Sequence, residues 1–295
     1  MSSVNIYIVI PVHNKIELTL KCLASLEGQS YPQYEIIVVD DGSTDGTYET
    51  IQKRFPEVTL LQGDGNLWWT GGTNMGVEYA LKTAKDNDFV LTLNNDLEIG
   101  KDYLEQLLKV YQQFKPCLVG SVSVNSQKPE QVEFLGSKNR LITGRSRLPI
   151  KEILPYSTLK QTYDVLESDV LPGRGTLIPI PVFKKIGLFD FEHFPQYIAD
   201  YDFSKRAKYA GFKLLVSTKA VVKSVVESTG VTYVIDPTFK TFFKGLTSIK
   251  SPTQMKIRYY WAIRHSPIGI LYFFFSMTRV FLSFIRAYLF SLRQK

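Results

Sequence analysis

Three short stretches gather groups able to ligate a cation or accept a proton: Asn94-Asn95-Asp96, Asp40-Asp41 and Asp200-Tyr201-Asp202. The first closes the apolar run 88–93, which reads as a strand buried on both faces, and parallel strands of α/β proteins carry ligand sites at their carboxyl ends. A lone carboxylate with amide neighbours suits Mg²⁺ or Mn²⁺ already carrying phosphates, because such ions keep most of their shell as water and substrate oxygen. Asn-Asn-Asp is also ordinary turn chemistry. Asp40 and Asp41 end another apolar run, ahead of a Gly42-Ser43 turn. Asp200 and Asp202 open a helical pattern, where Asp equally serves as an N-cap or favours the helix dipole.

The elements that must position these groups alternate. A strand over 4–11 precedes a helix over 15–29; a strand over 34–39 precedes a helix over 47–55; a third strand covers 58–62. Two strand-helix units in this span predict an α/β fold with a mostly parallel sheet. Gly63-Asp64-Gly65 begins like a dinucleotide fingerprint, but Trp68 occupies the third glycine position, so that reading fails. Gly71 to Gly76 opens a helix with Val77, Ala80, Leu81 and Ala84 at helical spacing; its glycines suit either close approach to a diphosphate or close packing. A helix over 101–114, a strand over 117–124, strands and loops over 125–169, a Gly-flanked Arg174 before a short strand, and a helix through Gly211 complete the body.

At 295 residues and 44% hydrophobic content, the chain can bury a substantial core. Cys22 and Cys117 are far apart and lack metal-ligand spacing, which argues against a disulfide scaffold or a zinc site and suits a reducing cytoplasm. The first residues run into a strand without a basic and apolar leader pattern, an expectation against export. The formal charge of +7 is uneven: 237–295 holds ten Lys or Arg and no Asp or Glu, so the remainder carries 7 minus 10, or −3. The boundary is therefore set at 1–236 and 237–295. From Ile268 onward a helix would align Ser276, Arg279, Ser283, Arg286 and Arg293 in one stripe amid apolar residues. Its longest charge-free stretch, 265–278, has fourteen residues against the roughly twenty of a bilayer span, which predicts an in-plane amphipathic helix on an anionic membrane. Packing on its own domain or on a second subunit, as a homodimer, is the alternative. Nucleic acid fits poorly, because the cations form a narrow stripe instead of a broad basic face.

In order, Ile10-Pro11-Val12-His13-Asn14, Val38-Val39-Asp40-Asp41-Gly42-Ser43-Thr44-Asp45, Gly71 to Gly76, Leu93-Asn94-Asn95-Asp96 and Ala199-Asp200-Tyr201-Asp202 resemble the inverting family 2 glycosyltransferases of the GT-A fold over about residues 4–230. Asn-x-Asp in place of Asp-x-Asp, with Trp68-Trp69-Thr70-Gly71-Gly72 ahead of the helix, is similar to the rhamnosyltransferase-like subgroup of bacterial surface polysaccharide synthesis. The resemblance implies a metal-dependent enzyme moving a sugar from a thymidine or uridine diphosphate donor to a saccharide, lipid-linked acceptor. It makes Asp200 the catalytic base and Asp96 the ligand of Mg²⁺ or Mn²⁺. Pro11, Asp40, Asp41, Gly71, Asn74, Asn94 and Asn95 would line the donor. Trp68, Trp69, Gly173, Arg174, Asp202 and Lys223 would lie near the acceptor or diphosphate. The protein would work in the cytoplasm, peripheral on the inner face of the cell membrane. A sugar nucleotidyltransferase is the same-fold alternative, disfavoured because Pro11 to Lys15 supplies no Gly-rich basic loop; a silent membrane-docking scaffold is another. His13 and His193 read as structural or loop residues.

Overall fold

The computed structural model describes residues 4–140, 142, 144–225 and 236–292. The chain divides into two compact units, of which the first holds the central sheet. Strands β1 (Ile6–Val12), β2 (Tyr34–Asp40), β3 (Thr59–Gln62) and β4 (Phe89–Thr92) alternate with helices α1 (Ile16–Leu26), α2 (Thr47–Arg54) and α3 (Trp68–Leu81). β5 (Leu97–Ile99), α4 (Tyr103–Phe114), β6 (Cys117–Asn125) and β7 (Val132–Phe134) follow. Next come β8 (Lys138–Arg140), β9 (Arg145–Arg147), α5 (Tyr156–Thr162), β10 (Val165–Glu167), β11 (Thr176–Pro179), α6 (Ile180–Ile186), α7 (Ala199–Tyr209) and β12 (Lys213–Ser224).

The main sheet runs β10-β12-β6-β11-β4-β1-β2-β3, with β5 on β12 and β7 on β6. β1, β2, β3 and β4 pair in parallel, as does β6 with β12, whereas β11 lies antiparallel between β4 and β6. The architecture is therefore the expected α/β type with a mixed, largely parallel sheet. Two short helices were not legible in the sequence: α5 lies within the stretch read as strands and loops, and α6 follows the short strand after Arg174. α5 spans seven residues, and α6 starts between Pro179 and Pro181 with proline at its first turn, a placement that costs no backbone hydrogen bond.

Direction within the sheet decides what meets at one end. β1 and β2 finish together, at Val12 and Asp40, and β4 ends on the same side with Thr92 level with Val9. Because β11 runs the other way, its first residue, Thr176, pairs with Thr92 and brings the preceding Gly173-Arg174-Gly175 turn to the same edge. β12 reaches that edge at its carboxyl end, where the Val225 N–H donates to the Asp96 carbonyl at 3.2 Å. The core beneath is apolar: Ile6, Ile8, Ile10, Leu23, Val38, Leu91 and Leu104 are buried, and Cys22 lies among them with its thiol pushed up to about 12 by burial.

α3 lies unusually close to β1. A Cβ at Gly76 would come within 2.4 Å of Val9 Cγ1, and one at Gly72 within 3.0 Å of Pro11 Cβ. Those two glycines serve close packing of helix on sheet.

The second unit comprises Asn139–Arg147, Asp190–Ala199 and the chain from Glu227. It contains the β8–β9 hairpin strands, three C-terminal helices (Phe239–Thr247, Met255–His265, Gly269–Leu292) and the 190–199 segment. The last helix has 24 residues and is long and apolar enough to cross a membrane by length and composition. One face is buried through Ser276, Val280 and Phe284, with Phe242 stacked on Phe284 at 4.4 Å. Ser276, expected on an exposed polar stripe, instead accepts a hydrogen bond from Arg258 at 2.8 Å. The stripe is polar because part of it binds the neighbouring helix.

Candidate active site

The β2 end is tied down by its own acids. Asp40 accepts hydrogen bonds from the Ser43 hydroxyl and, at 3.1 Å, from the Ser43 N–H, closing the Gly42-Ser43 turn. Asp41 Oδ1 accepts the Gly65 N–H at 2.8 Å and Oδ2 the Trp68 N–H at 3.0 Å. Asp41 thus caps α3 from outside, a role Leu67 at the N-cap cannot perform with an apolar side chain. Gly63 permits the approach, since a Cβ there would sit 2.7 Å from Asp41 Oδ1. Each Asp41 carboxylate oxygen accepts one of these bonds and retains a second lone pair. His13 Nδ1 contacts the Asp41 carbonyl at 2.7 Å, and Asn14 Oδ1 accepts the Thr44 N–H at 2.9 Å, so Pro11 is followed by a pinned turn.

Trp69 joins elements that are distant in sequence. Its indole N–H donates to Asn94 Oδ1 at 3.0 Å, its ring meets Phe189 edge-on at 5.5 Å, and a Cβ on Gly173 would come within 2.1 Å of Cζ2. Asn74 grips Phe189 with both ends of its amide: Nδ2 donates to the carbonyl at 2.8 Å and Oδ1 accepts the N–H at 3.0 Å. Asn95 Nδ2 donates to Thr19 Oγ1 at 2.9 Å. Asp96 is half-buried at this edge. Gly71 lies within α3, its N–H bonded to the Leu67 carbonyl at 2.9 Å.

The Gly173 N–H donates to Asp200 Oδ2 at 2.8 Å, and the Tyr201 N–H to Oδ1 at 2.8 Å. Burial raises the Asp200 carboxyl above its ordinary value, opposed by those two hydrogen bonds and by the nearby Arg174 charge. A carboxylate so placed is a better proton acceptor than one in water. Asp202, fully buried, instead receives Arg206 Nε at 2.8 Å, while the same guanidinium donates to the Ile186 and Leu188 carbonyls at 2.8 Å each. Its partners are structural. Lys223 is exposed on β12, in register with Glu98 of β5.

Among the described residues, the non-glycine residues in the left-handed region are Asn14, Lys15, Trp68 and Ile198. A β-branched residue at φ +72°, two positions before Asp200, is a strained placement.

No group of three or more His, Cys, Asp or Glu able to hold a metal occurs among the described residues. The Asp96 carboxylate is of the oxygen type that suits a hard divalent ion drawing most of its shell from water and phosphate, while Asn94 Oδ1 already accepts from Trp69 and Asn95 Nδ2 donates to Thr19. Sequence reasoning set Trp69 and Gly173 in one neighbourhood through the resemblance but missed their direct contact, since nothing local links the two. It also missed a cluster within the second unit. His193 Nδ1 lies 2.8 Å from Asp190 Oδ2, to which Arg264 donates at 2.6 Å. Burial would raise the Asp190 carboxyl, but hydrogen bonds from Arg264 and His193 outweigh it and hold the group below its ordinary value. The Asp190/His193 spacing of three was the available signal.

Comparison with known proteins follows the same lines. The chain is 32% identical over 187 residues to a poly(ribitol-phosphate) beta-glucosyltransferase of Bacillus spizizenii, covering 61% of this chain and 25% of that protein. It is 25% identical over 224 residues to an N-acetylglucosaminyl-diphospho-decaprenol L-rhamnosyltransferase of Mycobacterium tuberculosis, covering 70% and 72% respectively. The chain thus spans about a quarter of the first relative's length and most of the second's. The crystal structure of GalNAc-T7 with UDP, GalNAc and Mn²⁺ superposes with a TM-score of 0.61 at 14% identity, covering 89% of this chain and 51% of that one, a likeness of GT-A-type fold. The family model for glycosyl transferase family 2 matches residues 7–167, more than half of the chain, and the protein accordingly belongs to the family 2 glycosyltransferases.

Proposed function

We propose that the protein is an inverting transferase that moves a sugar from a pyrimidine nucleoside diphosphate to a saccharide acceptor carried on a lipid, in the synthesis of a surface polysaccharide. The observation that carries this reading is Asp200, whose carboxyl is raised by burial and oriented by the Gly173 and Tyr201 N–H groups beside Arg174. Gly173 belongs to the turn that β11 brings to the Asn94–Asp96 edge.

In this reading Asp200 takes the proton of the acceptor hydroxyl as its oxygen attacks the anomeric carbon. The bond from that carbon to the phosphate oxygen breaks, its electron pair leaves with the diphosphate, and the configuration inverts. When bound at Asp96, Mg²⁺ or Mn²⁺ neutralises charge on the departing diphosphate. Asn94 and Asn95 present amides beside that group. Asp41, Asp40 and Pro11 border the base-binding side, Arg174 and Lys223 supply positive charge, and Trp68 forms part of the wall. The second relative's name specifies a decaprenol-linked diphospho-sugar acceptor and a rhamnosyl donor group, which supports a lipid-linked acceptor and rhamnose as the first sugar to try.

The test is nucleoside diphosphate release from thymidine, uridine and guanosine diphosphate sugars, with Mg²⁺ or Mn²⁺ against a chelator. Metal-dependent release from one donor is expected. Asp96→Ala should lose metal-dependent donor binding, whereas Asp200→Asn should bind donor and lose about 10²- to 10⁴-fold in transfer. Wild-type transfer by Asp200→Asn would remove the base assignment, and failure to bind any donor would favour a silent scaffold.

A further inference from the structure

Within the first unit, Trp69 sits where the end of β4, the Gly173 turn and Phe189 converge. Its place is fixed from several sides. Asp41 holds the N–H of the preceding residue, Trp68, at 3.0 Å, and the Trp69 carbonyl accepts the Thr73 hydroxyl at 2.7 Å. On the Phe189 side, that ring stacks on Phe203 at 4.2 Å, and Phe203 lies 5.2 Å from Phe183; all three are buried. On the other side the indole lies so close to Gly173 that any side chain there would overlap it.

The held indole sets the polarity of Asn94. An indole N–H donates and cannot accept, so the amide atom it meets at 3.0 Å is Oδ1. The amide is planar, and fixing Oδ1 also fixes Nδ2. Among the described residues Nδ2 makes no hydrogen bond, which leaves its two N–H groups for a ligand. The amide oxygen is neutral and shared with the indole, a weaker offering to a divalent cation than the Asp96 carboxylate two residues on.

We propose that Trp69 is a positioning residue: its indole N–H turns the Asn94 amide so that Nδ2 donates to an oxygen of the donor nucleotide, and Asn94 takes no place among the metal ligands. This role rests on the nucleotide-donor reading of the site, and the experiment separates the two. Deleting the indole N–H frees the amide to turn over, whereas deleting the amide removes everything the indole acts on.

Full-length protein is titrated by calorimetry with uridine diphosphate and thymidine diphosphate over a range of Mn²⁺ concentrations, with thermal unfolding alongside. Trp69→Phe, which keeps an aromatic ring, should weaken nucleotide binding about three- to tenfold, and Asn94→Ala about tenfold. The double variant should bind no more weakly than Asn94→Ala, because the indole acts through the amide. Asn94→Asp is the sharpest arm. It offers the nucleotide an anionic oxygen where a donor stood, so binding should weaken about tenfold or more while the Mn²⁺ needed for half-maximal binding does not fall. A ratio of wild type to Trp69→Phe that persists in uridine diphosphate analogues lacking a ribose hydroxyl places the contact on phosphate, and one that vanishes places it on that hydroxyl.

Trp69→Phe binding like wild type, or losses that add in the double variant, would overturn the positioning role. A lower Mn²⁺ requirement in Asn94→Asp would make Asn94 a metal-side residue and overturn it as well. Asn94 is half-buried at the β4 end, so its variants keep the test decisive even where Trp69→Phe unfolds early. Wild type that binds neither nucleotide would remove the donor reading itself.

Discussion

At the scale of single residues, Gly173 links packing to chemistry. It must lack a side chain, because a Cβ would meet the Trp69 ring at 2.1 Å, and its N–H holds Asp200 at 2.8 Å. Gly173→Ala should therefore displace either the indole from Asn94 or the amide from Asp200. We expect at least a tenfold fall in kcat with a smaller loss of stability, measured by steady-state kinetics alongside thermal unfolding. The pH profile belongs at the same scale. Burial raises the Asp200 carboxyl, and the proposed base acts only when ionised, so kcat/KM should fall as pH drops through a value above the ordinary aspartate one. An acid limb at or below the ordinary aspartate value, near 3.9, would contradict this. Asp202 offers the contrast. Its carboxylate is fully buried and paired with Arg206, so Asp202→Ala should cost about 3 to 5 kcal/mol by denaturant unfolding, since it strands a cation.

At the scale of elements, α3 shows why glycines and a remote acid appear where they do. Gly76 lets the helix approach Val9, and Gly76→Ala should cost about 1 to 3 kcal/mol through overpacking, read as a lower denaturation midpoint with an unchanged slope. The sequence showed this helix through Val77 and Ala80 but opened it at Gly71, whereas it begins at Trp68, whose N–H is accepted by Asp41 just past the end of β2. β1 to β4 and β6 were legible because their apolar runs are bounded by turn residues, whereas β5 and the twelve-residue β12 were not read from the sequence. β11 was legible as a strand, but its antiparallel direction was not, since orientation depends on its partners β4 and β6. α5 and α6 escaped because seven residues hold barely two turns of periodicity.

At the scale of the whole molecule, the C-terminal helix has two apolar faces with different fates. Phe284 and Val280 are buried with Phe242, whereas Leu271 and Phe274 are 56% and 59% exposed. Deleting the helix would uncover Phe242 and confuse loss of membrane binding with loss of folding. Leu271→Asn with Phe274→Asn avoids that difficulty. The pair should weaken vesicle sedimentation severalfold while leaving the melting temperature within about 2 °C, because it removes no buried contact. Unchanged sedimentation would argue that this face meets protein.

The sequence by itself determined the alternation of strands and helices, the order of the acidic motifs and the concentration of cations in the last fifth of the chain. These properties live in neighbouring residues, where periodicity, turn chemistry and charge are read directly. Only the tertiary structure decided what those motifs touch. Trp69 reaches Asn94 and Gly173, and Asn74 grips Phe189. Such contacts join residues from 25 to 115 positions apart, and they depend on strand order and helix packing, which no local pattern encodes.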